Sequence, residues 1–149
     1  MTAGELESGV VFRFGLRSAE DMFFAERRKP LVSDFELGSE EIEHAKVTKF
    51  AALSVWNEDL TTVTQAQQFI APNRRLPIWL SVEAIRALPY KLHVLREPHP
   101  DPLPGREGHC NVGNVWSDDR MTRKKIRSDL RDLASCERDE ALMGRGGAG

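Results

Sequence analysis

The sequence has little cysteine: Cys110 and Cys136 are its only two. Two are too few for a disulfide framework, and neither belongs to a CxxC pair or a zinc-finger spacing. The chain also lacks an excess of either charge. Lys and Arg number 21 against 23 Asp and Glu, a formal net charge of −2. That balance argues against a dedicated nucleic-acid or membrane-surface protein as a whole. Long apolar runs are missing. The longest, Leu76 to Val82, is interrupted by Pro77 and falls far short of the roughly 18 residues of a membrane span. Met1 to Ser8 carries Glu5 and Glu7 and no apolar core, which does not read as a signal peptide. These absences predict a cytoplasmic chain with free thiols and no membrane partner.

What remains is ordinary domain material. The 149 residues, 40% hydrophobic, match one domain of roughly 100–150 residues. Such a chain buries about two-thirds of the surface exposed when unfolded, so it needs no metal or disulfide staple. Residues 1–8 read as a flexible lead, 9–135 as a single domain and 136–149 as a flexible, Gly-rich tail.

Alternating β-branched and aromatic residues predict strands at Val10–Phe14, Ala52–Trp56, Leu76–Val82 and Tyr90–Arg96, with His109–Trp116 as a fifth. A helix is expected over Ala19–Lys29, capped by Ser18 and stopped by Pro30, and Val32–Leu37 reads as an edge strand or loop. A short helix covers Glu40–Lys46. Thr62 and Gln65 form a capping box opening a helix over Val63–Ile70. Another short helix, Glu83–Leu88, is closed by Pro89. The last helix, Arg123–Ser135, is capped by Thr122 and carries an apolar stripe of Ile126, Leu130, Leu133 and Ala134. Between strands lies a loop, 97–108, in which Pro98, Pro100, Pro102 and Pro104 alternate. Prolines so spaced exclude helix and central strand. The irregular alternation of elements predicts an α+β fold with a curved, mostly antiparallel sheet of four to five strands.

Three constellations could carry chemistry. His109 and Cys110 are adjacent, and a cysteine needs a base to become a thiolate. On a strand, however, neighbours point to opposite faces, which leaves Cys110 as a small buried hydrophobe. His93, His99, His109 and Cys110 offer imidazole and thiolate, but their spacing matches no zinc pattern, so no metal is expected. Arg123, Lys124, Lys125 and Arg127 gather positive charge on the last helix, with Asp118, Asp119, Asp129 and Asp132 interleaved. A solvated amphipathic face is the ordinary outcome, and any nucleic-acid contact would be local to those four cations.

A fourth feature is positional. Arg13 lies on the first strand, Ser54 on a later one, and Glu83 follows the Trp79–Val82 strand, with helices between. This order resembles the ADP-ribosyltransferase-like fold, including its small bacterial toxin branch. The resemblance implies NAD as cofactor, with Arg13 on the dinucleotide, Ser54 supporting the nicotinamide side and Glu83 (or Glu97) orienting the ribose. A cation suits a pyrophosphate and a carboxylate an oxocarbenium-like centre. No complete catalytic set appears, so the first expectation is a small binding or accessory protein of bacterial type. Its contact surface would be the 97–116 loop and strand, with His99, His109, Cys110 and Trp116 engaging a protein partner. The NAD-using transferase is the alternative.

Overall fold

The computed structural model describes residues 4–16, 35, 37, 39–70, 74–98, 102–136 and 138. The helix expected at Ala19–Lys29 lies outside them, as does most of Val32–Leu37. Among the described residues there are six strands: β1 (Glu5–Leu6), β2 (Val10–Leu16), β3 (Ala52–Asn57), β4 (Arg74–Ser81), β5 (His93–Arg96) and β6 (His109–Gly113). Four helices accompany them: α1 (Ser39–Thr48), α2 (Val63–Gln67), α3 (Val82–Ala87) and α4 (Arg120–Leu133). The strands form one sheet in the order β1-β5-β6-β3-β2-β4, every pairing antiparallel. The α+β class is therefore as expected. The strand count is one higher, because Glu5 and Leu6 of the N-terminal lead pair with Leu95 and Val94.

The period-2 alternation of each strand divides the sheet into two faces. Val11, Leu53, Val55, Ile78, Leu80, Val94, Cys110 and Val112 form one face, packed with Ala45 of α1, Val82 and Ile85 of α3, and Ile126 and Leu130 of α4. Phe12, Phe14 and Trp56 form the opposite face, covered by Ala66 of α2 and by Phe69 and Ile70 beyond it. Pro77 sits within β4. A residue without an N–H is tolerated there because β4 is an edge strand.

Several boundaries differ from the sequence reading. The strand expected from Tyr90 begins only at His93, since Lys91 adopts a positive φ of 57°. The strand expected to reach Trp116 stops at Gly113, before Asn114 at φ 70°. Both turn residues break the ladder, and the Asn114 carboxamide donates to the Tyr90 carbonyl at 2.8 Å. The capping box of α2 forms as expected from both directions, but the helix ends at Gln67.

The last helix starts one turn early. Asp119, not Thr122, is its cap: the carboxylate accepts from the N–H groups of Met121 (3.4 Å) and Thr122 (3.2 Å). It also takes the Thr122 hydroxyl at 2.5 Å. A carboxylate both satisfies orphan donors and opposes the positive end of the helix dipole, an advantage a hydroxyl lacks. Burying Ile126 and Leu130 stabilises the docked helix by about 1.5–3 kcal/mol each before entropy costs. Asp119→Ala is expected to lower the urea unfolding midpoint, and Thr122→Ala to lower it clearly less. Equal losses would contradict the assignment of the cap.

Candidate functional site

The strongest convergence of polar side chains lies on the α2-covered face of the sheet. It follows from the register of β3 on β6. Ser54 faces Asn111, Val55 faces Cys110 and Trp56 faces His109. His109 is therefore diagonal to Ser54 on one face, within reach of a long side chain. Its Nε2 lies 3.2 Å from Ser54 Oγ. The ring also packs edge-on against Trp56, centroids 4.9 Å apart.

Glu97 follows β5 directly. Its N–H donates to the His109 carbonyl at 3.0 Å, which brings its carboxylate over the imidazole. Glu97 Oε2 lies 3.4 Å from His109 Nδ1, an ion-pair distance rather than an aligned hydrogen bond. The other demand on that carboxylate is Arg106. Its Nε and Nη2 donate to the two Glu97 oxygens, each at 3.1 Å. The guanidinium in turn lies over the rings of Trp56 and Phe69, at 5.6 and 5.4 Å, and those rings stack on each other.

The protonation states follow from this setting. Hydrogen bonding to Arg106 holds the Glu97 carboxyl below its usual range. Burial pushes the His109 imidazole down, the Arg106 charge adds to that, and Glu97 opposes it. His109 is thus a neutral ring, 8% exposed. A carboxylate beside Nδ1 favours the hydrogen there, which leaves Nε2 to accept from the Ser54 hydroxyl.

The loop that delivers Arg106 is pinned from inside. The buried Thr61 hydroxyl donates to the Gly105 carbonyl and accepts from the Gly108 N–H, both at 2.9 Å. Gln68 Nε2 donates to the Pro104 carbonyl at 2.6 Å. Gly108 has no room for a side chain, since a Cβ there would sit 2.2 Å from Thr61 Oγ1. Gly105 has φ +88°, the left-handed region that favours glycine. Leu103, by contrast, points outward and is 51% exposed.

The residues singled out in the sequence are distributed unevenly. Ser54, His109 and Glu97 come together. Arg13 alternates with Phe12 and Phe14 and so belongs to the other face. Its Nη1 donates to the Ser54 carbonyl at 2.9 Å, and its guanidinium lies 5.7 Å from the Phe35 ring centre. Glu83 is in the exposed first turn of α3, five positions beyond Ile78, the cross-strand partner of Arg13. Cys110 is fully buried on the Arg13 face, and burial pushes its thiol up to about 11. His109 cannot serve it, because the two side chains leave the strand in opposite directions. Trp116, expected on the contact surface, is buried at 9% exposure; Arg123 stacks over it at 4.5 Å. His99 lies outside the described residues. His93 is exposed and pairs with Glu5. Lys124 and Lys125 are exposed beside Asp129 and Asp119 in an open hollow. Sequence reasoning missed Arg106 as a partner of Glu97. An arginine between Pro104-Gly105 and Gly108 carries no local signal of a carboxylate partner.

Compared with known protein families, with curated proteins and with solved structures, the chain matches none.

The electrostatics make a testable statement about stability. An unfolded histidine titrates near the ordinary 6.5, and folded His109 lies lower. Between those values the unfolded chain binds more protons, so stability is full above about pH 6.5 and is lost as pH falls through the folded value. Urea unfolding across that window is expected to show this slope, and His109→Gln is expected to flatten it. An unchanged slope in the variant would contradict the neutral, buried imidazole.

Proposed function

We propose that the chain is a cytoplasmic contact protein that offers the loop before β6 to a protein partner with an apolar pocket. One observation carries this reading. Residues 104–108 are fixed by Thr61, Gln68 and the Arg106–Glu97 pair, while the neighbouring Leu103 stays half exposed. A loop already ordered before binding loses little conformational entropy on contact, and loops on a rigid sheet are common carriers of recognition. Trp56 and Trp116 are buried, so they belong to the scaffold and the contact surface narrows from 97–116 toward 102–108. Among the described residues no helix is long and apolar enough to cross a membrane.

The NAD-using transferase is the weaker reading. It requires Arg13 to hold a pyrophosphate, yet that guanidinium is engaged by the Ser54 carbonyl and the Phe35 ring. It also requires Ser54 and Arg13 to address one ligand, while their side chains lie on opposite faces of the sheet.

A photo-crosslinking amino acid placed at Leu103 in the source cell is expected to give a discrete adduct that excess unlabelled wild-type protein competes away. The same group at Lys124 is the control. Thr61→Ala, which unpins the loop, is expected to lower the yield about tenfold, equivalent to ~1.4 kcal/mol of loop ordering. No adduct at 103 above the Lys124 control would sink the contact reading. NAD is expected to leave the melting temperature unchanged; a saturable rise would restore the transferase to first place.

A further inference from the structure

We propose that Ser54, His109 and Glu97 form a nucleophile–base–orienter relay that cleaves carboxylic esters through an acyl-Ser54 intermediate. This goes beyond the contact reading and rests on different atoms. Three geometric facts carry it. Ser54 Oγ is 3.2 Å from His109 Nε2, and His109 Nδ1 is 3.4 Å from Glu97 Oε2, so the ring is bracketed by a hydroxyl and a carboxylate on its two nitrogens. Ser54 is exposed while His109 is buried, so the hydroxyl is reachable and its base is screened from water. Asn111 stands directly opposite Ser54 on the same face, where a carboxamide can donate to an oxyanion formed at the serine.

The chemistry balances with water as co-reactant. His109 Nε2 takes the Ser54 hydroxyl proton as Oγ bonds to the ester carbonyl carbon. The bond from that carbon to the alkoxy oxygen breaks, and the proton on Nε2 passes to the departing alcohol. Water then attacks the acyl-serine, giving its proton to Nε2. The carbonyl carbon–Oγ bond breaks, the carboxylic acid leaves and Ser54 recovers its proton. Ester plus water becomes acid plus alcohol, with no redox change. Glu97 acts as a positioning residue: it selects the tautomer of His109 and stabilises the imidazolium that forms transiently. Arg106 holds Glu97 in place by gripping both of its oxygens.

The charged groups bearing on His109 are Glu97 from the end of β5 and Arg106 from the loop; β3 presents Ser54 and Trp56. Two probes test the relay on the full chain. A fluorophosphonate transfers its phosphonyl group to an activated serine as fluoride leaves, and p-nitrophenyl acetate reports acetyl transfer by released nitrophenolate. Labelling of the Ser54 peptide, seen by mass spectrometry, is expected in wild type and absent in Ser54→Ala. His109→Gln is expected to slow both reactions at Ser54 about 100-fold or more, the usual scale of a general base. Should that variant not fold, the wild-type pH profile decides. The labelling rate is expected to rise through one ionisation with a midpoint below 6.5 and then level off, and Glu97→Gln is expected to move the midpoint lower still. A merely structural Glu97 would not move it. No label on Ser54, a rate that climbs with hydroxide without a plateau, or labelling indifferent to a folded His109→Gln would each overturn the proposal.

Discussion

The pairing of β3 with β6 is the constraint on which the rest of this molecule depends. Five consecutive residue pairs, from Ala52 with Gly113 to Trp56 with His109, fix that register. Because side chains alternate with period two, a slip of one residue would send His109 into the apolar cluster and Cys110 out to Glu97. The penalty for such a slip is built into both strands. Cys110 and Val112 would lose their places among Leu53, Val55, Val94 and Ile126, and an imidazole would enter that cluster without a partner. The register is therefore enforced by the face packed with α1, α3 and α4, while its chemical consequence appears on the α2 side.

Arg106 couples that chemistry to the loop. Its guanidinium meets Glu97 through two nitrogens and lies over Trp56 and Phe69, a planar fork satisfied on both its edge and its face. It lowers the proton affinity of Glu97 directly and that of His109 through its charge. The loop cannot leave without taking this cation with it, since Thr61 and Gln68 hold the backbone on either side of Gly105. One segment thus serves two ends: its outer surface presents Leu103, and its inner surface sets the charge state around His109. Arg106→Lys would keep the charge and lose both the fork and the stacking geometry, so the substitution is not conservative here.

Local signals were enough for much of the fold. The alternation in Val10–Phe14 and Ala52–Trp56 and the Thr62–Gln65 box each describe a few neighbouring residues, and each corresponds to an observed element. What failed depends on distance in sequence. Two residues, Glu5 and Leu6, have no pattern of their own and become a strand only because β5 offers them an edge. Asp119 outcompetes Thr122 as a cap because the carboxylate reaches two backbone donors and the threonine hydroxyl as well. The site divides in the same way. Ser54 and His109 were legible as polar residues on strands, but their meeting requires residues 55 positions apart to fold into one register. Glu97 was legible only as a substitute for Glu83, and its partners, Arg106 and His109, lie near the far end of the proline-rich loop and just beyond it.

Strand alternation explains why adjacency in sequence is not partnership at His109-Cys110. Neighbours on a strand diverge, so a histidine beside a cysteine is a poor base for it but a good one for a residue two places along the facing strand. Diagonal partners share a face, and the diagonal partner of His109 is Ser54. The buried thiol is held protonated by its apolar surroundings, while the serine stands in the open with the imidazole behind it. Had β6 begun one residue later, the same two residues would have exchanged environments, placing a thiol near Glu97 where a carboxylate opposes thiolate formation. A Ser–His pairing across strands is therefore the arrangement in which this sequence can keep a buried imidazole partnered, a hydroxyl exposed and the apolar core closed at once.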